Sequence, residues 1–158
     1  MTQDLMNEMH KQPFVAELQP EHQAKLATLA KRVHFATDQV IFHEGDEYSV
    51  FYLLEEGMVA LELEVPGHVL RVQTLYTGDV FDWSALLPHT GKHFQARALN
   101  PVTALAFEGE QLLASFRSNP EFGLAFMLRL MAVVSERLRN TRLQLVDMYS
   151  PVAKRAGT

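Results

Sequence analysis

Three patterns of hydrophobic and polar residues follow one another along the chain. In the first, near the N-terminus, apolar residues recur at spacings close to three and four, and Pro20 suits a first helical turn. The positions are Leu18, His22, Leu26, Leu29, Ala30 and Val33. This spacing predicts a helix from about Pro20 to Arg32.

The middle of the chain consists of short apolar or alternating runs, each bounded by Gly, Pro or acidic turn residues. They are QVIFHEG, VFYLLEEG, MVALELEVPG, HVLRVQTLYTG and PVTALAFEG. The clearest is MVALELEV, in which Val59, Leu61, Leu63 and Val65 alternate with Met58, Ala60, Glu62 and Glu64. Such alternation predicts half-buried strands, and regularly spaced short strands are typical of a sandwich or roll.

A helical period returns after Glu108. GEQLLASFRSNPEF predicts a short helix that ends near Asn119 and Pro120, and the chain then runs to Tyr149 with no breaker beyond Gly123. Along this long helix a stripe has the alternating four and three spacing of a coiled coil: Leu124, Leu128, Met131, Ser135, Leu138, Arg142, Leu145 and Tyr149. We predict that residues Leu128, Met131, Ser135, Leu138, Arg142 and Leu145 form a parallel two-helix dimer interface. The alternative is that the stripe packs on the domain's own sheet.

Together these patterns predict a mainly β fold with flanking helices. We expect this fold to be a double-stranded β-helix (jelly roll) with an N-terminal helix and a long C-terminal dimerisation helix. We expect residues 1–17 to be an N-terminal extension, 18–149 the domain, and 150–158 a loose tail.

Composition narrows the function classes. The chain has 158 residues and a net charge of -5, with 7 basic and 16 acidic residues up to Phe116 and 7 basic and 3 acidic residues from Arg117 onward. An overall negative charge disfavours general attraction to nucleic acid. The absence of cysteine excludes disulfides, thiolate metal sites and cysteine nucleophiles. With no apolar run long enough for a membrane span and no secretory signal, we expect a cytoplasmic protein without membrane contact.

The order of elements, and the segment VIFHEGDEYSVFYLLEEGMVAL with Gly45, Asp46 and Gly57 at its turns, resemble the cyclic nucleotide-binding domain of the Crp/Fnr regulator family. The resemblance covers about Leu18 to Tyr149. It implies a ligand site made of a strand ending in Gly-Asp, a short helix that opens Gly-Glu-(apolar)-Ala-Leu, and a later Arg-(Ser/Thr)-Ala. In that site helix N–H groups and the arginine neutralise a cyclic phosphate, and the glutamate accepts from the ribose hydroxyl.

This sequence keeps the outline of that cassette and changes its contacts. In GDVFDWSALLPHTGKHFQARAL, Gly78 and Asp79 match, Asp82 stands for the glycine and Trp83 for the glutamate, and Ser84, Ala85 and Leu86 follow. The arginine and its hydroxyl neighbour fall near Lys92 and His93. A lysine does not reproduce the planar guanidinium fork, and Asp82 adds a negative charge where a phosphate would approach.

Because these contacts are changed, we expect cAMP and cGMP to be disfavoured ligands, and the sequence identifies no certain cofactor. The pocket candidates are Asp82, Trp83, Ser84, Ala85, Lys92, His93, Arg97, Thr141 and Arg142. Trp83 either fills the pocket or stacks on another flat ligand, Ser84 either caps the short helix or binds an anion, and Arg97 either enters the cavity or pairs with Glu62 or Glu64. Thr141 or Arg142 lies near where this family often touches the base, or else on an exposed polar face.

We therefore predict a regulatory sensor domain, with a small anionic ligand or a protein partner. Two alternatives stay open: an interaction or scaffold module with a plugged pocket, and a genuine cyclic nucleotide binder or truncated transcription regulator. In the Crp/Fnr family a DNA-binding helix-turn-helix domain normally follows the long helix. Nine residues follow Tyr149 in this sequence, so we expect no direct DNA binding. We expect no catalysis and no metal, since the chain has no hydrolase or phosphate-loop motif and no His-x-His pair. His89 and His93, four apart in a loop, are a weak metal candidate.

Overall fold

Two four-stranded antiparallel sheets form the centre of the molecule, ordered β1-β8-β3-β6 and β2-β7-β4-β5. The computed structural model describes residues 2–47, 49–87 and 91–149. The strands are β1 (Lys31–Phe35), β2 (Val40–Phe42), β3 (Val50–Glu56), β4 (Val59–Val65), β5 (His68–Leu75), β6 (Val80–Phe81), β7 (Gln95–Ala98) and β8 (Val102–Glu108). The β-roll predicted from the alternation of apolar residues is confirmed.

Helices flank this roll at both ends of the chain. They are α1 (Thr2–Met9), α2 (Pro13–Ala16), α3 (Pro20–Leu29), a 3₁₀ helix (Trp83–Leu86), α4 (Gly109–Ser118) and α5 (Pro120–Tyr149). The predicted short helix and long C-terminal helix are confirmed, with a break at Asn119. None of the helices in the described ranges combines the length and apolarity needed to cross a membrane.

The core has two parts because β3 is buried on both faces. Phe51 and Leu53 point to a cluster shared with the helices, whereas Val50, Tyr52 and Leu54 point between the two sheets. This is the two-residue period of a strand, and burial on both faces explains why VFYLLEE reads as one continuous apolar run. The cassette lies at the edge of this arrangement, where β6 pairs with β3.

β4 departs from the predicted alternation of one apolar and one charged face. Val59 and Leu61 are buried between the sheets as expected, but Ala60 and Glu62 are buried too. β4 lies between β5 and β7, and its register shifts at Leu61/Glu62. Glu62 is therefore covered by neighbouring strands and accepts hydrogen bonds from Gln95 and Arg97 of β7.

The N-terminal helix ends earlier than its spacing indicated. The predicted end near Arg32 was wrong: α3 stops at Leu29 and Ala30 is extended. Residues from Lys31 onward form β1, which pairs with β8. Val33 continues the helical spacing of apolar residues, yet it lies on β1. Backbone pairing with the distant strand β8 therefore outweighed the local pattern.

The segment before Leu18 packs into the cluster that β3 shares with the helices, which we call the helix-side core. Met9, Phe14 and Val15 are buried there. Arg129 of α5 holds the segment by donating to the carbonyls of Pro13 and Phe14. The bounds of the domain stay a prediction, and the predicted loose tail, 150–158, lies outside the described residues.

α5 is 30 residues long, about 45 Å. Its first half buries Phe122, Phe126 and Leu130 against the core, and all residues from Leu138 to Tyr149 are exposed. The outer part of the stripe therefore does not pack on the domain's own sheet. Its contact with a second copy stays a prediction.

Candidate functional site

The cassette backbone turns sharply between β6 and the 3₁₀ helix. Asp82, which joins them, has φ 68 and ψ 47, in the left-handed region. Aspartate is one of the few side chains that tolerate this conformation, which otherwise favours glycine. The position at which the resembling family has glycine thus keeps a glycine-like backbone while carrying a carboxylate.

That carboxylate forms a buried ion pair with Lys92. The Asp82 and Lys92 side chains are 2% and 3% exposed, and Oδ2 of Asp82 accepts from Nζ of Lys92. Oγ of Ser84 donates to Oδ1 of Asp82 at 2.7 Å. Nζ of Lys92 also lies 5.0 Å from the ring centroid of Phe42. The two residues that replace the glycine and the arginine of the family pattern therefore neutralise each other.

Burial dominates the electrostatics of this pair. Desolvation raises the pKa of Asp82, while the hydrogen bonds from Lys92 and Ser84 oppose that rise. The Lys92 backbone is held in place, since its carbonyl accepts from the Gly45 N–H at 2.8 Å and its own N–H donates to the Asp46 carbonyl at 3.2 Å. An incoming phosphate would have to displace the Asp82 carboxylate before reaching the Lys92 ammonium.

A second cation, Arg137, reaches the cassette from α5. Its guanidinium carbon lies 4.8 Å from the centre of the Trp83 ring system, and Nη2 donates to the Val80 carbonyl. Nη1 is buried and has no hydrogen-bond partner among the described residues. Desolvation lowers the pKa of Arg137 to about 10, while Asp79 opposes that change. The group thus stays charged at neutral pH.

Arg137 is not among the site residues predicted from the sequence, although a signal for it exists. The buried face of α5 continues through Phe122, Phe126, Leu130 and Val134, which recur every four residues and predict the next inward position near residue 138. Arg137 lies three residues after Val134, so an arginine continues an apolar face. The coiled-coil stripe on the neighbouring face of α5 predicted the dimer interface and does not include Arg137.

A small cavity lies at the cassette beside a wider groove. The cavity has a volume of about 70 Å³ and is lined by Phe42, Leu61, Asp82, Trp83, Ser84, His93, Phe94 and Arg137. The polar groove, about 330 Å³, is lined by Val72, Gln73, Thr74, Tyr76, Arg137, Asn140, Thr141 and Gln144. The cavity is far below the roughly 300–1,000 Å³ of common ligand sites, and Arg137 borders both spaces.

Most of the predicted cassette residues meet at this cavity. Asp82, Trp83, Ser84 and His93 line it, and Lys92 contacts it through Asp82. Trp83 is partly buried, packs against the helix-side core and lies under Arg137. Trp83 therefore forms one wall of the small cavity. This position is intermediate between the two predicted alternatives, in which the indole either fills the pocket or stacks on a flat ligand.

The other predicted site residues lie elsewhere. Ala85 is buried in the helix-side core. Arg97 takes the pairing alternative: its Nε lies 3.1 Å from Oε1 of Glu62. Thr141 lines the groove and donates to the Arg137 carbonyl at 2.9 Å, whereas exposed Arg142 lines neither space.

Within the described ranges, no three His, Asp or Glu side chains are grouped closely enough to hold an ion. The candidate pair His89 and His93 is not tested by this result, because His89 lies outside the described residues.

Comparison with known proteins agrees with this geometry. Residues 32–119 match the family model described as "Cyclic nucleotide-binding domain". A cAMP-dependent protein kinase regulatory subunit of Emericella nidulans is 32% identical over 90 residues, which are 57% of this chain and 21% of that protein. The chain thus spans about a fifth of the length of this curated relative.

Solved structures give the same result. A putative cyclic nucleotide-binding protein from Geobacter metallireducens is 27% identical, with a TM-score of 0.74 over 84% of this chain and 96% of that one. The Thermus thermophilus catabolite activator protein is also 27% identical, with a TM-score of 0.71 over 87% of this chain and 63% of that one. These similarities and the two-sheet roll agree on one family.

Proposed function

Because the chain belongs to the cyclic nucleotide-binding domain family, we propose that it is a regulatory, non-catalytic member that does not bind cAMP or cGMP tightly. The buried ion pair of Asp82 and Lys92 carries this proposal. In the resembling family an arginine in this cassette takes a phosphate, whereas here the available cation is satisfied by the protein's own carboxylate.

The expected loss of affinity is large. Each missing charge-assisted contact costs about 1.5–3 kcal/mol, roughly ten- to a hundredfold in affinity. Two such contacts differ here, because Trp83 stands for the ribose-binding glutamate and Lys92 for the phosphate-binding arginine. The small cavity and the carboxylate of Asp82 act in the same direction.

Isothermal titration calorimetry with cAMP and cGMP tests the proposal. We expect no micromolar binding by the wild-type chain. The triple variant Asp82→Gly, Trp83→Glu, Lys92→Arg restores the family pattern, and we expect it to gain at least a hundredfold in affinity for one of the nucleotides. Lys25→Arg, at an exposed position on α3, makes the same lysine-to-arginine change outside the site and serves as the control. Micromolar binding by the wild type would overturn the proposal.

A second candidate function is that of a protein-interaction module. The observation that favours it is the apolar surface of α5, where Leu128, Met131 and Leu138 are 62%, 66% and 49% exposed. Exposed apolar side chains in a continuous stripe usually mark an interaction surface. Together with the predicted interface residues Ser135, Arg142 and Leu145, they support a homodimer formed through α5.

We place the protein in the cytoplasm, because the absence of cysteine suits a reducing compartment. Its further partner is a small anionic ligand or another protein rather than DNA, since the roll carries most of the acidic residues.

A further inference from the structure

Arg137 is an arginine without a carboxylate partner in the part of the chain that the structure describes. Three other arginines pair with acids, namely Arg32 with Glu55, Arg97 with Glu62 and Arg129 with Glu17. Arg71, Arg117 and Arg142 form no ion pair with the described residues, but their side chains are exposed to solvent. Asp79 favours the charged form of Arg137 only from beyond ion-pair distance. Burial of a cation without a direct ion pair is costly, and an external anion would offset that cost.

The guanidinium is held in one place. Trp83 lies against its face, and Nη2 is fixed on the Val80 carbonyl of the cassette strand. Of the two terminal nitrogens, Nη1 is the one without a hydrogen-bond partner in the described ranges of the chain. Because stacking and one hydrogen bond fix the plane, the donors that remain are ordered before a ligand arrives.

The location of Arg137 gives a ligand access. The side chain borders both the cavity of about 70 Å³ and the polar groove of about 330 Å³. Phe42, Leu61 and Phe94 supply apolar walls in the cavity, whereas Thr141 and Gln144 supply polar groups in the groove. A molecule that spans the two spaces would meet the cation at their junction.

We propose that Arg137 is the anion-binding group of this domain and that its ligand is a small organic carboxylate with a compact apolar part. The planar fork of a guanidinium matches the two oxygens of a carboxylate. The apolar cavity suits a short hydrocarbon group and is too small for a nucleoside. This inference rests on the proposed function, since a domain that bound cyclic nucleotides tightly would use the cassette differently.

The ligand would be held in part by α5 itself. Arg137 precedes Leu138, an exposed residue of the predicted dimer stripe. Occupancy of the site would therefore act on the same helix that we propose as the interface.

The single tryptophan makes the test direct, because Trp83 lies under the guanidinium. Intrinsic fluorescence of the full chain is followed during titration with sodium propionate, sodium succinate or inorganic phosphate, with sodium chloride at matched ionic strength as reference. We expect a saturable change with at least one carboxylate and weaker binding of phosphate. Arg137→Gln should weaken carboxylate binding at least tenfold, because a charge-assisted pair is lost.

Arg139→Gln is the matched control, since it removes the same charge from an exposed position two residues away and should bind like the wild type. Arg137→Lys, which keeps the charge without the fork, should also bind more weakly, and circular dichroism checks that each variant is folded. Should Arg137→Gln lose its fold, the comparison of Arg137→Lys with the wild type decides.

Three results would overturn the inference: no saturable change with either carboxylate, wild-type affinity in both Arg137 variants, or phosphate binding as tightly as the carboxylates. The failure of the proposed function has a different signature, namely micromolar cyclic nucleotide binding by calorimetry.

Discussion

Replacing Lys92 by methionine isolates the contribution of the buried ion pair. Methionine has a similar length and no charge. Among the described residues, the change leaves Ser84 as the hydrogen-bond donor to the Asp82 carboxylate. Both partners are almost fully buried, so the small values typical of exposed pairs do not apply. Loss of one partner of a buried pair costs about 3–5 kcal/mol.

Protonation sets an upper limit on this cost. An unpaired Asp82 can neutralise itself by taking up a proton, and starting from an unfolded pKa of about 3.9 this costs about 4 kcal/mol at pH 7 and about 1.5 kcal/mol at pH 5. We therefore expect Lys92→Met to lower the free energy of unfolding by about 3–4 kcal/mol at pH 7 and by no more than about 1.5 kcal/mol at pH 5.

The sign follows from the raised pKa of Asp82. A carboxyl whose folded pKa exceeds its unfolded value stabilises the fold below the unfolded pKa, and this stability is lost as the pH rises through the folded pKa. Removal of Lys92 raises the folded pKa further, so the free energy of unfolding of Lys92→Met should fall more steeply between about pH 4 and pH 7 than that of the wild type.

Urea denaturation followed by circular dichroism, at one fixed protein concentration, measures these differences. Adding Asp82→Asn to Lys92→Met should recover the wild-type value to within about 1 kcal/mol at pH 7, since asparagine is neutral and tolerates the left-handed backbone. Lys25→Met, on exposed α3, is the control and should stay within about 0.5 kcal/mol of wild type. The reasoning is refuted if Lys92→Met costs less than about 1 kcal/mol at pH 7, or if the second substitution recovers nothing.

Three further predictions concern α5, Gly109 and Glu62. The triple variant Leu128→Ala, Met131→Ala, Leu138→Ala should halve the mass measured by light scattering, and an unchanged mass would remove these residues from the interface. Gly109→Ala places a Cβ 2.2 Å from the Ala85 carbonyl oxygen, so it should lower the midpoint of urea unfolding by an amount equivalent to roughly 1–3 kcal/mol. Glu62→Gln removes the charge that pairs with Arg97 and should cost about 1–3 kcal/mol in the same assay, whereas Glu64→Gln, at an exposed position on β4, should cost little.

The fold was predictable where local pattern and tertiary structure agree. Alternation in β4 and the long uninterrupted run of α5 both identified real elements, although β4 also buries Ala60 and Glu62 on its second face. The prediction failed at Lys31 and Arg32, which were expected to end the helix and instead begin β1, because pairing with β8 decides the structure there and no local signal reports it. α2, the four-residue helix Pro13–Ala16, is too short to show a period, yet it buries Phe14 and Val15.

The site was predictable in part for a related reason. Asp82, Trp83, Ser84 and His93 were found because they are contiguous or nearly so with the cassette pattern. Their pairings were not accessible from the sequence, since the contact of Asp82 with Lys92 depends on a loop whose course the residues do not reveal. Arg137 is more than 50 residues from Trp83 in the sequence. Its role emerges only when α5 crosses the strand end at Val80.

The departures from the family pattern form a consistent set once they are placed together. An aspartate at the glycine position would repel a phosphate, but the same carboxylate neutralises the lysine at the arginine position. The lysine of the loop is thereby neutralised within the protein. Arg137 on α5 lines the cavity without a direct ion pair to any of the described residues, against the tryptophan at the glutamate position. In our proposal the positive charge for an anion has thus moved from the cassette loop to the long helix. A ligand bound there would contact directly the element whose exposed stripe we propose as the interface, with no relay through the cassette.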